Sequence, residues 1–157
     1  LDIIVLATGF KANAFMRPMR ITGRNGADLE ALWSDHPKAY LAISLPDFPN
    51  LFILNGPNGP VGNFSLIDIA EHQWHYIAQL LDKLRSGESR EICCTSQAMA
   101  EFETAREEAA KKTVWFNGGC NSWYLDARGI PASWPWNYSR FVAEMETPVW
   151  SHYNCTA

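Results

Sequence analysis

The sequence predicts an α/β fold of few strands with flanking helices, and three observations carry that expectation. The chain opens on Leu1-Asp2-Ile3-Ile4-Val5-Leu6, apolar on both faces, and breaks at the small corner Ala7-Thr8-Gly9 before Phe10. A strand with no polar face belongs inside a parallel, helix-covered sheet. A second apolar run, Leu51-Phe52-Ile53-Leu54, leads into a loop rich in Gly, Pro and Asn at residues 55–63, and a well-marked helix follows it. Open α/β sheets bind ligands at the corners where their strands end, so the two corners are expected to face one site.

Taken in order, residues 1–10 are the first expected strand. A domain rarely starts on a strand with no neighbour, so the chain is expected to be the C-terminal part of a longer protein. Residues 11–39 read as irregular, because Gly23, Asn25, Gly26 and Pro37 interrupt any period. Residues 39–45 read as a short strand, 45–50 as a turn and 51–54 as the second buried strand. The helix is expected to begin at Ser65, with Asp68 as the capping-box partner and Phe64 and Ile69 as a hydrophobic staple. Leu66, Ala70, Trp74, Ile77, Leu81 and Leu84 give it one apolar stripe, and Ser86-Gly87 ends it. A strand at 91–94 and a surface helix at about 97–112, capped by Thr95 or Ser96, come next. Residues 113–116 read as a strand turned by Asn117-Gly118-Gly119, with 120–125 returning. Residues 135–144 read as a last helix, and 147–157 as a short end that frays.

Composition bounds the function. A chain of 157 residues holds one domain with a real core. Its 47% hydrophobic and 19% charged residues are globular values. A net charge of −4 leaves no basic footprint for nucleic acid or an anionic membrane. No apolar run reaches the length of a membrane span, and no signal peptide is visible. Cys93, Cys94, Cys120 and Cys155 have neither zinc spacing nor an evident disulfide pairing. Free thiols in a reducing, cytoplasmic compartment are therefore expected. Glu71, His72 and His75 share a helix but lack the His-Glu-x-x-His order, so a solvated face with a Glu71–His75 pair is expected and no metal. Seven Trp, eight Phe and five Tyr are many, and they cluster late, from Trp115 to Phe141. They read either as core filling or as the wall of a site for a flat or apolar ligand.

The strand–loop–helix unit at 51–66 is the leading candidate site. A helix N-terminus presents unpaired N–H groups and partial positive charge to an electron-rich ligand atom. The loop is neither a Walker loop nor a GxGxxG dinucleotide fingerprint.

Several segments, in order and at matching distances, resemble one family. Asp2-Ile3-Ile4-Val5-Leu6-Ala7-Thr8-Gly9-Phe10 resembles the "ATG" segment of the class B flavin monooxygenases, the Baeyer–Villiger monooxygenases and their flavin-containing relatives. Phe48-Pro49-Asn50-Leu51-Phe52 and Asn55-Gly56-Pro57-Asn58 resemble its "PNLF…GPN" segment, and Glu71, Gln73, Tyr76 and Ile77 the helix after it. Cys120-Asn121-Ser122-Trp123-Tyr124 resembles its "SWY" segment, and Trp134-Pro135 the following "WP".

The resemblance implies the C-terminal part of a Rossmann-like flavoprotein with two dinucleotide-binding domains. Residues 1–90 would end the FAD-binding domain and 91–157 would form an aromatic-rich extension. The implied activity is that of an FAD- and NADPH-dependent monooxygenase, which inserts one oxygen atom of O₂ into a ketone or a soft heteroatom through a C4a-peroxyflavin. The catalytic residues would lie upstream, so the chain alone is expected to be inactive. Carried over, Ala7, Thr8 and Gly9 would line the junction of the cofactor domains, with Asn58, Ser65 and Leu66 beside the flavin. Trp123 would reach NADPH, and Val61, Gly62 and Asn63 would face the substrate pocket. Leu125-Asp126-Ala127-Arg128-Gly129 departs from the family pattern. The implied partners are a small apolar organic substrate, O₂, the rest of the polypeptide and, through an exposed sheet edge, a second copy. A non-catalytic binding module on a flavoprotein-derived scaffold is the competing expectation.

Overall fold

The computed structural model describes residues 2–9, 14–62, 64–119 and 122–156. Its elements are the single-turn helix α1 (Leu29–Leu32), the long helix α2 (Leu66–Arg85), strand β1 (Glu91–Cys94), helix α3 (Ser96–Ala110), the short α4 (Val114–Asn117), helix α5 (Tyr138–Glu146) and strand β2 (Tyr153–Thr156). The two strands pair antiparallel, with Glu91 opposite Thr156 and Cys94 opposite Tyr153. The core joins α2, α3, α5 and both strands through Ile69, Tyr76, Leu80, Ile92, Phe102, Phe141, Met145 and Tyr153. A second cluster, with Leu29, Trp33, Leu45, Phe48 and Ile53, fills the space under the irregular region.

Helix α2 starts after Ser65 and ends before Ser86, as its sequence signals require. Its buried face is not the expected stripe. Ile69, Gln73, Tyr76, Ile77 and Leu80 are buried, whereas Leu66 is 49% and Trp74 55% exposed. The helix has two adjoining apolar faces, and this chain's own core covers only one. Asp68 does not complete a capping box; it accepts a hydrogen bond from the Tyr138 hydroxyl of α5. His72 turns to the same hydroxyl at 3.1 Å rather than toward a metal-like arrangement with His75.

Five local expectations are corrected. Residues 2–9 form no strand and are exposed, because no partner strand lies beside them among the described residues. Residues 39–45 and 51–54 are not strands either. They form a turn closed by the Tyr40–Ser44 bridge and a segment tied by one bond from Ile53 N–H to the Ile43 carbonyl at 2.9 Å. Residues 113–116 belong to a helical turn, held where Gly118 N–H meets the Val114 carbonyl at 2.7 Å. The end of the chain does not fray. Residues 153–156 pair with β1, and Tyr153 is buried in the core.

A candidate cofactor pocket

The loop before α2 supplies one wall of a cavity of about 180 Å³. Asn55 and Asn58 sit at positive φ (50° and 69°), a conformation asparagine tolerates, and Gly56 and Gly59 close a turn between them. This folding brings Asn58, Val61 and Leu66 to one side of the cavity. Trp123, Tyr124, Ala132 and Ser133 arrive from the other, and Pro37 completes the rim.

The aromatic wall is layered. Trp123 stacks on Tyr124 with centroids 4.0 Å apart, and Tyr124 stacks on Trp115 at 5.7 Å. Trp123 is 58% exposed, so one of its faces is free. The other late aromatics divide between the two readings. Trp134 and Phe141 fill the core, whereas Trp123 and Tyr124 line the cavity. Gly62 borders this layer at φ +89°, and a β-carbon there would lie 2.5 Å from the Tyr124 hydroxyl. Only glycine fits so close an approach in that conformation.

Two polar atoms of the cavity lining are buried without a partner, Asn55 Oδ1 and Ser133 Oγ. Buried polar groups are ordinarily satisfied, so these two oxygens are exceptions beside the cavity. The start of α2 borders the same cavity. The Ser65 side chain makes no capping bond, and Leu66, the first residue of the helix, lines the cavity. The N-terminus of a 20-residue helix offers N–H groups and partial positive charge at that point.

The structure thus brings Asn58, Val61, Leu66 and Trp123 together, with Ser65 and Gly62 as immediate neighbours. Asn58 is spent on the scaffold: its Oδ1 accepts from Ala39 N–H at 3.1 Å and its Nδ2 donates to the Ala132 carbonyl at 3.0 Å. Ala7, Thr8 and Gly9 are exposed and absent from the cavity lining. Asn63 lies outside the described residues, as do Phe10, Cys120 and Asn121 of the resembling segments. Sequence reasoning missed Asn55 as an unpaired acceptor and Ser133 altogether. Nothing in Pro131-Ala132-Ser133 distinguishes it from an ordinary loop; only the cavity does.

No family model matches the chain. An uncharacterised monooxygenase of Mycobacterium tuberculosis is 45% identical to it over 134 residues, 85% of this chain and 27% of the relative. A Baeyer–Villiger monooxygenase of Streptomyces coelicolor is 34% identical over 145 residues, covering 91% of this chain and 28% of the relative. Among solved structures, cyclohexanone-bound cyclohexanone monooxygenase superimposes over the whole chain and 29% of its own, with a TM-score of 0.77 and 26% identity.

Over most of its own length the chain is similar to FAD-binding and Baeyer–Villiger monooxygenases. It spans about 27% of the length of the first curated relatives it matches. The small sheet and its surrounding helices are thus part of the flavin monooxygenase fold. Residues 125–129 make a tight turn. Asp126 Oδ1 accepts from the N–H groups of Arg128 and Ile130, both at 2.9 Å. Arg128 Nη2 reaches Asp126 and Glu107 of α3, each at 2.7 Å. The turn is thereby latched onto α3. Among the described residues, no helix is long and apolar enough to cross a membrane.

Proposed function

We propose that the whole protein is an FAD- and NADPH-dependent monooxygenase that inserts one oxygen atom of O₂ into a small apolar ketone, and that this chain contributes one side of its cofactor pocket. The observation that carries the reading is the cavity where the open end of α2 meets Trp123, with the unpaired oxygens of Asn55 and Ser133 in its wall. The relatives' names, FAD-binding and Baeyer–Villiger monooxygenase, support the cofactor and favour a ketone over a heteroatom.

The residues fit a flat, polar-edged group. Trp123 and Tyr124 offer a stacking face, Asn55 and Ser133 offer acceptors, and the first N–H groups of α2 offer donors. When bound, FAD reduced by NADPH supplies the activation of O₂. The chain's own part is to orient and to exclude water. The end of α2 at Ser65 and Leu66 holds an electron-rich edge by its partial positive charge. The Trp123–Tyr124–Trp115 layer keeps one side dry. In this reading Val61 and Gly62 belong to the substrate side, where glycine at 62 leaves room beside Tyr124. Ala7, Thr8 and Gly9 reach the pocket in this reading only when the rest of the polypeptide gives residues 2–9 a partner. Residues 1–90 are assigned to the FAD-binding domain and 91–157 to its aromatic extension. The reading also places the protein in the cytoplasm, with O₂, the organic substrate and the remainder of the polypeptide as its partners. A second copy at the apolar run 3–6 is the competing cover for that segment.

The test is direct. The purified whole protein should be yellow and should consume NADPH in step with lactone or ester formation from a ketone. Trp123→Ala should raise the KM for NADPH roughly 10- to 100-fold with FAD content unchanged, as for loss of a positioned contact. A folded whole protein that stays colourless with added FAD and consumes no NADPH overturns the proposal.

A further inference from the structure

Helix α3 turns three charged side chains toward the loops that flank the pocket. Arg106 is fully buried. Its Nε and Nη2 grip the two carboxylate oxygens of Glu103 at 2.8 and 2.7 Å, and its Nη1 donates to the Pro131 carbonyl at 2.6 Å. Glu103 also meets His36 Nε2 at 3.2 Å, and His36 Nδ1 meets Asp35 at 2.8 Å. The Arg106 hydrogen bond and charge hold the Glu103 carboxyl below its ordinary range although burial pushes the other way. His36, Glu103 and Glu107 offer ligand atoms within 4.8 Å of one another, but each carboxylate is already bonded to a guanidinium, Arg106 or Arg128. The cluster is an ion network rather than a cation site.

The network joins the two segments that border the cavity. Pro37 lies on one, next to His36; Ala132 and Ser133 lie on the other, next to Pro131. Asn58 joins Ala39 and Ala132 of the same two segments from inside the pocket. A buried ion pair is weak evidence for stability, since apolar residues of the same shape often serve as well. What a guanidinium adds is direction: its planar fork fixes one carboxylate and leaves a donor aimed elsewhere. Here that donor meets the carbonyl immediately before the pocket wall.

We infer that Arg106 is a positioning residue for the cofactor pocket, acting through the Pro131 carbonyl to set Ala132 and Ser133 against Asn58. The inference rests on the pocket reading proposed above. In the whole protein, Arg106→Met should speed amide exchange at Ala132 and Trp134, whose N–H groups bond the Tyr124 and Gly59 carbonyls, while the β1–β2 amides keep their protection. NADP⁺ affinity should fall about 10-fold, as on loss of a supporting hydrogen bond. Arg106→Lys, which keeps the charge and one donor, should recover part of both effects.

Where Arg106→Met does not fold, Glu103→Gln makes the same test, because it loosens the grip without removing the side chain. Unchanged exchange over residues 130–136 in a folded variant overturns the inference, as does uniform loss of protection that includes β1–β2. Unchanged NADP⁺ affinity also overturns it, provided Trp123→Ala weakens that affinity. If Trp123→Ala changes nothing, the pocket reading fails instead, and the exchange result alone decides what Arg106 positions.

Discussion

Cys94 and Tyr76 belong to one core cluster, and burial raises both of their pKa values. It pushes the Cys94 thiol up to about 12 and the Tyr76 phenol up to about 12. In an unfolded chain these groups titrate nearer their ordinary values of 9.0 and 10.0. Between those limits the folded state keeps protons that the unfolded state releases, so stability falls as pH rises. Their contribution is fully present below about pH 9 and is lost as pH passes through about 12. The thermal midpoint of the whole protein should therefore drop between pH 9 and 11. Tyr76→Phe, which has no phenol to ionise, should flatten that drop; an identical pH profile for the two proteins would refute the assignment. The residue types at 76 and 94 were plain in the sequence, but their burial was not. Tyr76 fell outside the apolar stripe expected for its helix, and Cys94 faces the core only because β2 pairs with β1.

Three helices show how much a cap depends on what surrounds it. The Thr95 hydroxyl accepts from Ala98 N–H at 3.1 Å, and Asn137 Oδ1 accepts from Arg140 N–H at 2.9 Å. Ser65 stands at the same position of α2 and makes no such bond. Thr95→Ala and Asn137→Ala should each cost about 1 kcal/mol in denaturant unfolding, and Ser65→Ala only a few tenths. A Ser65→Ala loss equal to the other two would show that its hydroxyl caps the helix after all. Both ends of α2 were legible in the sequence within a residue, as were β1 and the start of α3. Residues 113–116 were not. Val114-Trp115-Phe116 has strand-forming side chains, but a strand exists only where another backbone supplies its hydrogen bonds. The same reason accounts for 2–9, 39–45 and 51–54.

Over the whole molecule, one feature stands apart from the packed core. Ile3, Ile4, Val5 and Leu6 are each at least 75% exposed, and Leu66, Ile67 and Trp74 form a second open apolar surface on α2. Contiguous exposed apolar surface marks a place where another surface docks. The chain's length, about 27% of its first matched relatives, makes the rest of its own polypeptide the natural cover. Trp74→Glu in the whole protein should then lower both the yield of folded protein and its FAD content, because a buried unpaired charge is strongly unfavourable. A Trp74→Glu protein with unchanged melting and flavin content would show that this face stays in water.

The sequence by itself determined the long helix with both its ends and the strand at 91–94, and it carried the resemblance to the flavin monooxygenases; of the residues it singled out, Asn58, Val61, Leu66 and Trp123 line one cavity. These rest on local signals: an ordered set of short segments, helix punctuation and the backbone freedom of Gly and Asn. Only the tertiary structure decided which apolar runs pair. It seated the last strand on β1 and left the first run open, because pairing depends on what lies alongside in space. Only the tertiary structure, too, placed Ser133 and Asn55 in one wall and set Arg106 behind it. A buried charge network is assembled from residues far apart in the chain, and no local pattern records which of them will meet.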